Sequence, residues 1–387
     1  MAGDDRVVIS PDLGVSFSNR GRFKPLAWAI FLGTSWTWCI GMYLPVLLLR
    51  DLGIGGFLVF AIPNVLGAAA MGWIMRSMGQ SRLFIAVHWF AAAMFSIVTI
   101  AFHVFFIIWI VRPLAGIWTW PAIAGAITVF AILLSRRNAG AWLAAILAFA
   151  VSVAAIIWSV RISAVPKIVA RSPTGLPLID IAFLAPVCVF GFALCPYLDL
   201  TFHRARQALD RTQARFAFVL GFGVVFLLML LFTAGYSRWL TGPIGGVIAV
   251  ILAIHFIAQC GFTMALHGQS VLISGGLRLP LAIILVVAIA IAAALGFAGG
   301  NSGESIYRFF MGFYGLVFPT YVWLCMVPPR RSMARVLIAI LVAAPMFWMG
   351  FIEREMIWLI PGVAVPLLAK IARGATPQAT AVSKSSV

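Results

Sequence analysis

Polar side chains recur at helical spacing within two otherwise apolar stretches. The first stripe is His88, Ala92, Ser96, Thr99 and His103, and the second is His255, Gln259, Thr263, His267 and Ser270. Steps of three or four residues place each set on one face of a helix. Because polar groups are costly against lipid, both stripes are predicted to face protein or water. They could line a path for a small solute, or they could serve only as hydrogen-bonding partners between helices.

Two other short stretches combine glycine and proline with polar or aromatic residues. Gly33–Gly41 reads GTSWTWCIG and is followed by Pro45, and Gly191–Asp199 reads GFALCPYLD. Glycine and proline near the centre of a membrane span free backbone groups from the helix ladder. Freed carbonyls can bind cations and freed N–H groups can bind anions. An ordinary kink is the alternative interpretation, because both residues are common in membrane helices.

The composition explains which elements hold these residues. Hydrophobic residues make up 63% of the 387 positions and charged residues only 10%, whereas a typical soluble chain has about 25% charged residues. Apolar runs of about 20 residues recur, which is the length of a membrane-spanning helix. Continuous runs favour helices over the alternating pattern of a membrane β-barrel. We therefore predict an all-α, polytopic membrane helix bundle.

About twelve spans are predicted. They lie near 26–49, 54–75, 83–111, 117–135, 140–160, 178–202, 215–237, 245–273, 279–298, 305–327, 333–351 and 356–372. The two interrupted stretches fall in the first and sixth spans, and the two polar stripes fall in the third and eighth. Matching features five spans apart indicate a 5+5 inverted repeat followed by two C-terminal spans, because paired interruptions point to repeat-built transporters.

The distribution of cations predicts the orientation. With the N-terminus inside, the inner segments hold 19 of the 27 Lys and Arg residues and the outer segments hold 8. Short cytoplasmic loops retain cations, so both termini are predicted to be cytoplasmic in a multi-pass protein of a bacterial inner (plasma) membrane. The net charge of +17 is thus a topology signal, and no nucleic-acid partner is expected. The chain divides into a cytoplasmic lead (1–25), spans 1–6 (26–202), a cytoplasmic connection (203–215), spans 7–12 (216–373) and a disordered cytoplasmic tail (374–387).

The paired breaks and polar spans resemble the LeuT-type fold of the amino acid–polyamine–cation superfamily. Within that superfamily, Leu52–Phe57 (LGIGGF) leading into Ile62–Gly67 (IPNVLG) is similar to the second span of sodium:solute and nucleobase–cation symporters. The resemblance covers the whole topology, but its local motifs have low specificity. It implies alternating access around a central site bounded by spans 1, 3, 6, 8 and 10.

The resemblance also implies which residues form that site. The expected substrate-binding residues are Ser35, Trp36, Trp38, Ser96, Thr99, Ala193, Tyr197, Gln259 and Tyr314. The expected ion-coupling residues are Thr34, Ser35, Asp199 and Thr263. Relatives that use sodium have two adjacent hydroxyl residues on the eighth span, whereas here only Thr263 follows Phe262. Asp199 could instead carry a proton or pair with a cationic substrate, or it could cap a helix or meet His203 one turn later.

We predict a secondary active transporter that moves a small solute by alternating access, coupled to a sodium or proton gradient. The alternative is a transporter-derived sensor or scaffold without transport. No enzyme activity is expected, because the sequence contains no HExxH, GxSxG or aspartate-rich catalytic motif. An ATP-driven pump is not expected either, because the sequence contains no GxxxxGK[ST] loop. No metal site or cofactor is expected besides Na⁺ or H⁺ as the coupling ion. The expected partners are the solute and the lipid bilayer, with the protein a monomer or homodimer.

Overall fold

The computed structural model describes residues 23–162, 178–240, 244–273, 279–327 and 332–371. These ranges consist of helices and short turns and contain no strand. Most of the predicted N-terminal lead and all of the predicted C-terminal tail lie outside them. Nothing in the described ranges departs from the predicted all-α class.

The described helices include nine that are long and apolar enough to cross a membrane. Their bounds are Cys39–Ile74, Met78–Leu134, Asn138–Ile162, Leu178–Leu198, Arg211–Leu240, Gly246–Leu272, Leu279–Ala298, Gly300–Met326 and Met333–Ile352. The shorter helices Lys24–Ser35, Leu200–Ala208 and Met356–Lys370 complete the set. The protein is therefore a polytopic helical membrane protein, as the composition predicts.

Two of the long segments are longer than a single membrane crossing requires. The segments Cys39–Ile74 and Met78–Leu134 have 36 and 57 residues, or about 54 and 86 Å as straight helices, and both exceed the roughly 30 Å of hydrocarbon. The first bends at Gly53, whose φ is 63°, and the second bends at Gly116, whose φ is 58°. Only glycine adopts such angles readily. Each bend divides its segment into two helical arms. With these arms and Met356–Lys370 counted separately, the described helices follow the order of the twelve predicted spans, and they are called spans 1 to 12 below.

The described spans are divided between a buried centre and a periphery. Spans 1, 2, 6 and 7 pack tightly together, span 3 packs on spans 8 and 9, and span 8 also packs on spans 4 and 5. Span 9 is peripheral, with only 17% of its apolar window buried in the protein. The interrupted spans and polar stripes therefore lie where protein surrounds them.

Helix starts at the ends of the bundle carry their own caps. Span 3 begins after Ser77, whose hydroxyl accepts a hydrogen bond from the backbone N–H of Gln80 at 3.0 Å. Span 7 begins after Asp210, which forms a reciprocal capping box with Gln213. Such caps satisfy backbone N–H groups that lack a partner within the helix. The starts of spans 3 and 7 are therefore stabilised by residues that are close to them in the sequence.

The stretch 203–215, predicted to be a cytoplasmic connection, is largely helical and partly buried. Leu200–Ala208 is a helix whose side chains are all buried, and the chain turns at Leu209 and Asp210 before span 7 begins at Arg211. The polar residues of 203–209 therefore lie inside the bundle. Their burial is possible because they form hydrogen bonds with neutral groups of neighbouring spans, which are described below. The exposed connection is reduced to the turn itself.

Candidate functional site

Span 1 is interrupted where the sequence predicts. Helix Lys24–Ser35 ends, Trp38 is extended with ψ of 179°, and a new helix begins at Cys39. Ser35 Oγ donates to the carbonyl of Leu32 at 3.0 Å, and Thr37 Oγ1 donates to the carbonyl of Gly33 at 2.9 Å. The hydroxyl residues therefore satisfy backbone groups around their own break.

Span 6 is interrupted in a related way. Helix Leu178–Leu194 passes into the tight turn Cys195–Leu198, which contains the helix-breaking Pro196. Asp199 is extended and caps the helix Leu200–Ala208, with its Oδ1 accepting the N–H of Thr201 at 2.7 Å. The predicted capping role of Asp199 is therefore present. The predicted pairing with His203 is absent, because both His203 ring nitrogens contact other groups, Ser81 Oγ at 2.8 Å and the Tyr197 carbonyl at 3.0 Å.

The two breaks lie against each other. Thr201 Oγ1 donates to Ser35 Oγ at 3.4 Å, and the rings of Trp36 and Phe202 are 4.8 Å apart. A cavity of about 10 Å³ remains beside the breaks, and its walls include Trp36, Trp38, Asn64, Phe192, Cys195 and Tyr314. This volume is about that of a single water-sized probe. The site is therefore closed around its own side chains in this conformation.

Aromatic rings fill the space between the breaks and spans 3 and 10. We call Trp36, Trp38, Phe95, Tyr314 and Phe318 the central aromatic cluster. The Trp38 ring lies 4.4 Å from Trp36, 5.4 Å from Phe95 and 5.8 Å from Tyr314. Phe318 completes the cluster at 4.9 Å from Phe95. Such rings offer flat apolar faces and edge-directed contacts to a ligand.

The polar stripes connect this cluster to the surrounding spans. Thr99 Oγ1 lies 2.9 Å from the Tyr314 hydroxyl, and His103 Nδ1 lies 2.7 Å from the Thr99 carbonyl. Ser96 Oγ lies 3.1 Å from His267 Nδ1, which joins the two stripes. Every residue of both stripes is buried. The prediction that the stripes face away from lipid is confirmed.

Several buried polar atoms near the breaks and on span 8 have no hydrogen-bond partner. They are Thr34 Oγ1, Asp199 Oδ2, Gln259 Oε1, Thr263 Oγ1 and His267 Nε2. Most buried polar groups in proteins are satisfied, so a group of exceptions calls for an explanation. Others occur elsewhere, including the indole nitrogens of Trp28, Trp142 and Trp323. The distinctive feature here is that four of the five belong to residues predicted from sequence to bind substrate or ion.

The predicted site residues are only partly brought together. Ser35, Trp36, Trp38, Thr99 and Tyr314 contact one another directly or through one neighbour. Ser96 joins this group through His267, whose ring is 5.4 Å from Trp38.

Three of the predicted substrate-binding residues point elsewhere. Gln259 Nε2 donates to Ser152 Oγ of span 5 at 2.8 Å, and Ala193 packs near Gly67 of span 2. Tyr197 turns toward span 3, where its ring lies 6.3 Å from Phe84.

Several contributors to the site were not predicted, among them Asn64, Phe95 and Phe318. Asn64 Oδ1 accepts the indole N–H of Trp36 at 2.6 Å, which connects span 2 to the first break. A single amide side chain in an apolar span indicates a hydrogen-bonding residue, but the sequence did not show which group Asn64 would bind. Phe95 had no signal, because it is one of 31 phenylalanines. Its place in the cluster depends on helix packing alone.

Charged residues from span 1, from span 10 and from the turn between spans 11 and 12 form ion pairs at the predicted outer end of the bundle. We call Arg50, Asp51, Glu304, Arg308 and Arg354 the outer ion-pair cluster. Arg50 contacts Asp51 at 2.7 Å and Glu304 at 2.8 Å, and Arg308 contacts Asp51 at 2.6 Å and Glu304 at 2.9 Å. Arg354 also contacts Glu304. Glu304 thus binds three guanidinium groups. The cluster ties span 1 to span 10 and to the turn between spans 11 and 12.

A larger cavity lies directly under this cluster. It measures about 50 Å³, and its walls include Leu48, Cys188, Met311 and Tyr314, with Arg308 at the charged end. It therefore lies between the outer ion-pair cluster and the central aromatic cluster. We therefore expect the ion pairs to limit access to the cavity from this end.

We predict that Glu304→Gln increases access to this cavity. The substitution removes the carboxylate that three arginines share, so thiol labelling of Cys188 by a membrane-impermeant reagent should become roughly fivefold faster, the equivalent of about 1 kcal/mol of lost pairing. The experiment uses a background with Cys39, Cys195, Cys260 and Cys325 replaced by serine. Glu353→Gln is the matched control, since Glu353 contacts Trp348 outside the cluster. Equal labelling rates in both variants would contradict a sealing role.

The predicted inner end is closed by a different kind of contact. Arg206 is 1% exposed and donates to the carbonyls of Met75 at 2.5 Å and Leu209 at 2.9 Å. Arg204 donates to Gln269 Oε1 at 2.9 Å. These guanidinium groups bind neutral oxygens on spans 2 and 8, and this is why helix Leu200–Ala208 can be buried. The two ends of the bundle are therefore held by chemically different contacts.

Metal chemistry finds no support among the described residues. They contain no group of three or more His, Cys, Asp or Glu side chains able to hold an ion. The five cysteines are buried free thiols, which is typical of small apolar packing residues.

Comparisons with known proteins do not assign this arrangement to a family. The chain matches no family model, no curated protein and no solved structure.

Proposed function

We propose that this protein is a secondary active transporter that moves a small solute by alternating access. The observation that carries this proposal is the contact between the two helix breaks, Ser35 to Thr201, inside a buried group of aromatic and unpartnered polar side chains. Discontinuous helices near mid-membrane are the usual place for substrate and ion sites in secondary transporters. Helix packing alone does not require the interruptions of spans 1 and 6 to be in contact.

The proposed architecture is a LeuT-type 5+5 inverted repeat followed by two spans. Breaks in spans 1 and 6 and buried polar stripes in spans 3 and 8 support it, because each pair is separated by five spans. The proposed substrate site is the central aromatic cluster with Ser35, Ser96 and Thr99. Its flat rings suit a small solute with an apolar or planar face.

The two closed ends support alternating access. The outer ion-pair cluster seals one side with carboxylates and guanidinium groups, and Arg206 seals the other with backbone carbonyls. In an alternating-access cycle these contacts would break in turn, so the present conformation corresponds to an occluded state. The rocking of one repeat against the other is the motion expected for such folds.

Ion coupling is proposed at Asp199 and at Thr263. Asp199 is fully buried, and no Lys, Arg or His of the described residues pairs with it. An ionised carboxylate there would cost several kcal/mol unless a proton or a bound cation neutralised it. Thr34 and Thr263 each keep an unpartnered hydroxyl oxygen, the kind of ligand that Na⁺ accepts.

The proposal is tested by reconstituting the protein into liposomes and measuring uptake of a broad solute panel. Sodium and proton gradients are applied separately, and thermal stabilisation by each solute is measured in parallel. At least one solute should show gradient-dependent uptake and stabilise the protein. If no member of the panel is taken up or stabilises the protein under either gradient, the sensor or scaffold alternative is favoured. We propose no enzyme activity.

Thr263→Ala separates the two coupling ions. It removes a hydroxyl that satisfies no other group, so any sodium-dependent stabilisation or uptake should be lost while proton dependence is retained. Ser159→Ala is the matched control, because its hydroxyl is also buried but donates to its own helix at the Ala155 carbonyl. An unchanged sodium response in Thr263→Ala would exclude this hydroxyl as a ligand.

A further inference from the structure

A groove lies between spans 11 and 12. It measures about 310 Å³ and is lined by Arg335, Ile338, Ala339, Val342, Val365 and Ala369. Arg335, Ile338, Ala339 and Val342 follow the spacing of one helix face. The small side chains of Ala339 and Ala369 leave the space between the two helices open.

The groove runs along the membrane-facing surface of the protein. Ile338 is 61% exposed, Val342 is 50% exposed and the neighbouring Leu341 is 71% exposed. In a membrane protein such an apolar surface is covered by lipid, because water cannot reach it. From Arg335 to Val342 the groove extends about 10 Å along the helix axis. The occupant must therefore present an apolar chain over that length.

Cations lie at only one end of the groove. Arg335 stands near the start of helix Met333–Phe347, and Lys370 follows Ala369 on the facing helix, with its ammonium 3.6 Å from the Trp323 ring. The carboxylates of the described residues lie elsewhere. Asp51, Glu304, Glu353 and Glu355 are at the opposite end. Asp180 lies in the first turn of helix Leu178–Leu194, and Asp199 and Asp210 cap the helices that follow them. The end of the groove at Arg335 and Lys370 is therefore positively charged, and no acidic side chain of the described residues neutralises it.

We propose that this groove binds an anionic phospholipid of the cytoplasmic leaflet. An acyl chain would lie along Ile338, Val342 and Val365, and the headgroup phosphate would meet Arg335. Basic pockets between spans on the cytoplasmic side suit anionic headgroups, and each cation contributes about 1 kcal/mol near such a surface. The cation distribution of the sequence assigns this end to the cytoplasm. The site is independent of the proposed transport function.

The test measures lipid retention by native mass spectrometry. The purified full-length chain is equilibrated with mixed phosphatidylglycerol and phosphatidylcholine, and the ratio of the two bound lipids is recorded. Arg335→Gln should lower the preference for phosphatidylglycerol about fivefold, the equivalent of one cation. Arg76→Gln is the matched control, since Arg76 is an exposed arginine at the same end but outside the groove. An unchanged ratio in Arg335→Gln, or an equal fall in Arg76→Gln, would overturn the proposal.

Two further measurements separate the headgroup from the acyl chain and from a free anion. Val342→Trp fills the groove from an exposed position, so it should reduce retention of both lipids while leaving the fold intact. Inorganic phosphate should not reproduce the thermal stabilisation by phosphatidylglycerol vesicles. If phosphate alone stabilises the protein equally, the site binds a soluble anion and the lipid assignment is wrong.

Discussion

Replacing Asp199 by asparagine is expected to abolish the dependence of solute uptake on a proton gradient. The carboxylate is fully buried and keeps one oxygen without a partner. Asparagine can still accept the N–H of Thr201, because it is as good an N-cap as aspartate. The helix start should therefore survive while the exchangeable charge is lost. Gradient-driven uptake should fall at least about tenfold, which corresponds to about 1.4 kcal/mol, because an amide cannot bind and release a proton during the cycle.

Asp210→Asn is the matched control for this substitution. Asp210 also caps a helix through its side chain, but it is exposed at the turn before span 7. Uptake in liposomes is measured with an imposed pH difference and, separately, with a sodium gradient. Retained proton dependence in Asp199→Asn would show that Asp199 is only a helix cap. Selective loss of sodium dependence would instead assign the carboxylate to sodium.

Gly67→Ala is expected to destabilise the contact between spans 2 and 6. A Cβ at Gly67 would lie 2.2 Å from the carbonyl oxygen of Phe192 and 3.0 Å from the Cα of Ala193. These are backbone atoms directly before the break in span 6, so no side-chain rotation relieves the overlap. Overpacking of this kind typically costs 1–3 kcal/mol. The expected result is a lower melting temperature together with reduced uptake, because the break is displaced.

Gly125→Ala is the control for this prediction. Gly125 lies in helix Thr119–Leu134 with no atom within 4 Å of the Cβ position. Alanine there should be neutral or slightly stabilising, because it is the better helix former. Thermal unfolding of both variants in the same detergent distinguishes a local clash from a general intolerance of substitution. Equal melting temperatures would contradict the close approach of spans 2 and 6.

The features predicted correctly depend on short stretches of sequence. Hydropathy predicts the passes, and the glycine–proline stretches predict the interruptions near Trp38 and Pro196. The steps of three and four residues predict two buried stripes. Each is governed by residues within one or two helical turns, so the sequence contains all that is needed to recognise it.

The features missed depend on residues far apart in the chain. Arg50 and Glu304 are separated by 254 positions, and Trp36 reaches Asn64 across the bend at Gly53. The burial of Arg206 was also missed, because a charged residue near a span end ordinarily faces water. Its acceptor is the carbonyl of Met75 at the end of span 2. Backbone acceptors carry no sequence signature, so only the packing of the helices reveals them.

By itself, the sequence determined that the chain spans a membrane repeatedly, where two spans break and which helix faces are polar. These follow from hydropathy, backbone freedom and periodicity, and all three are local properties. Only the tertiary structure decided that the two breaks meet at Ser35 and Thr201 and that aromatic rings from spans 1, 3 and 10 pack beside them. It also decided that ion pairs join the helices at one end of the bundle and that Arg206 binds backbone carbonyls at the other. Those outcomes depend on how distant helices pack, and packing is specified by shape over the whole bundle.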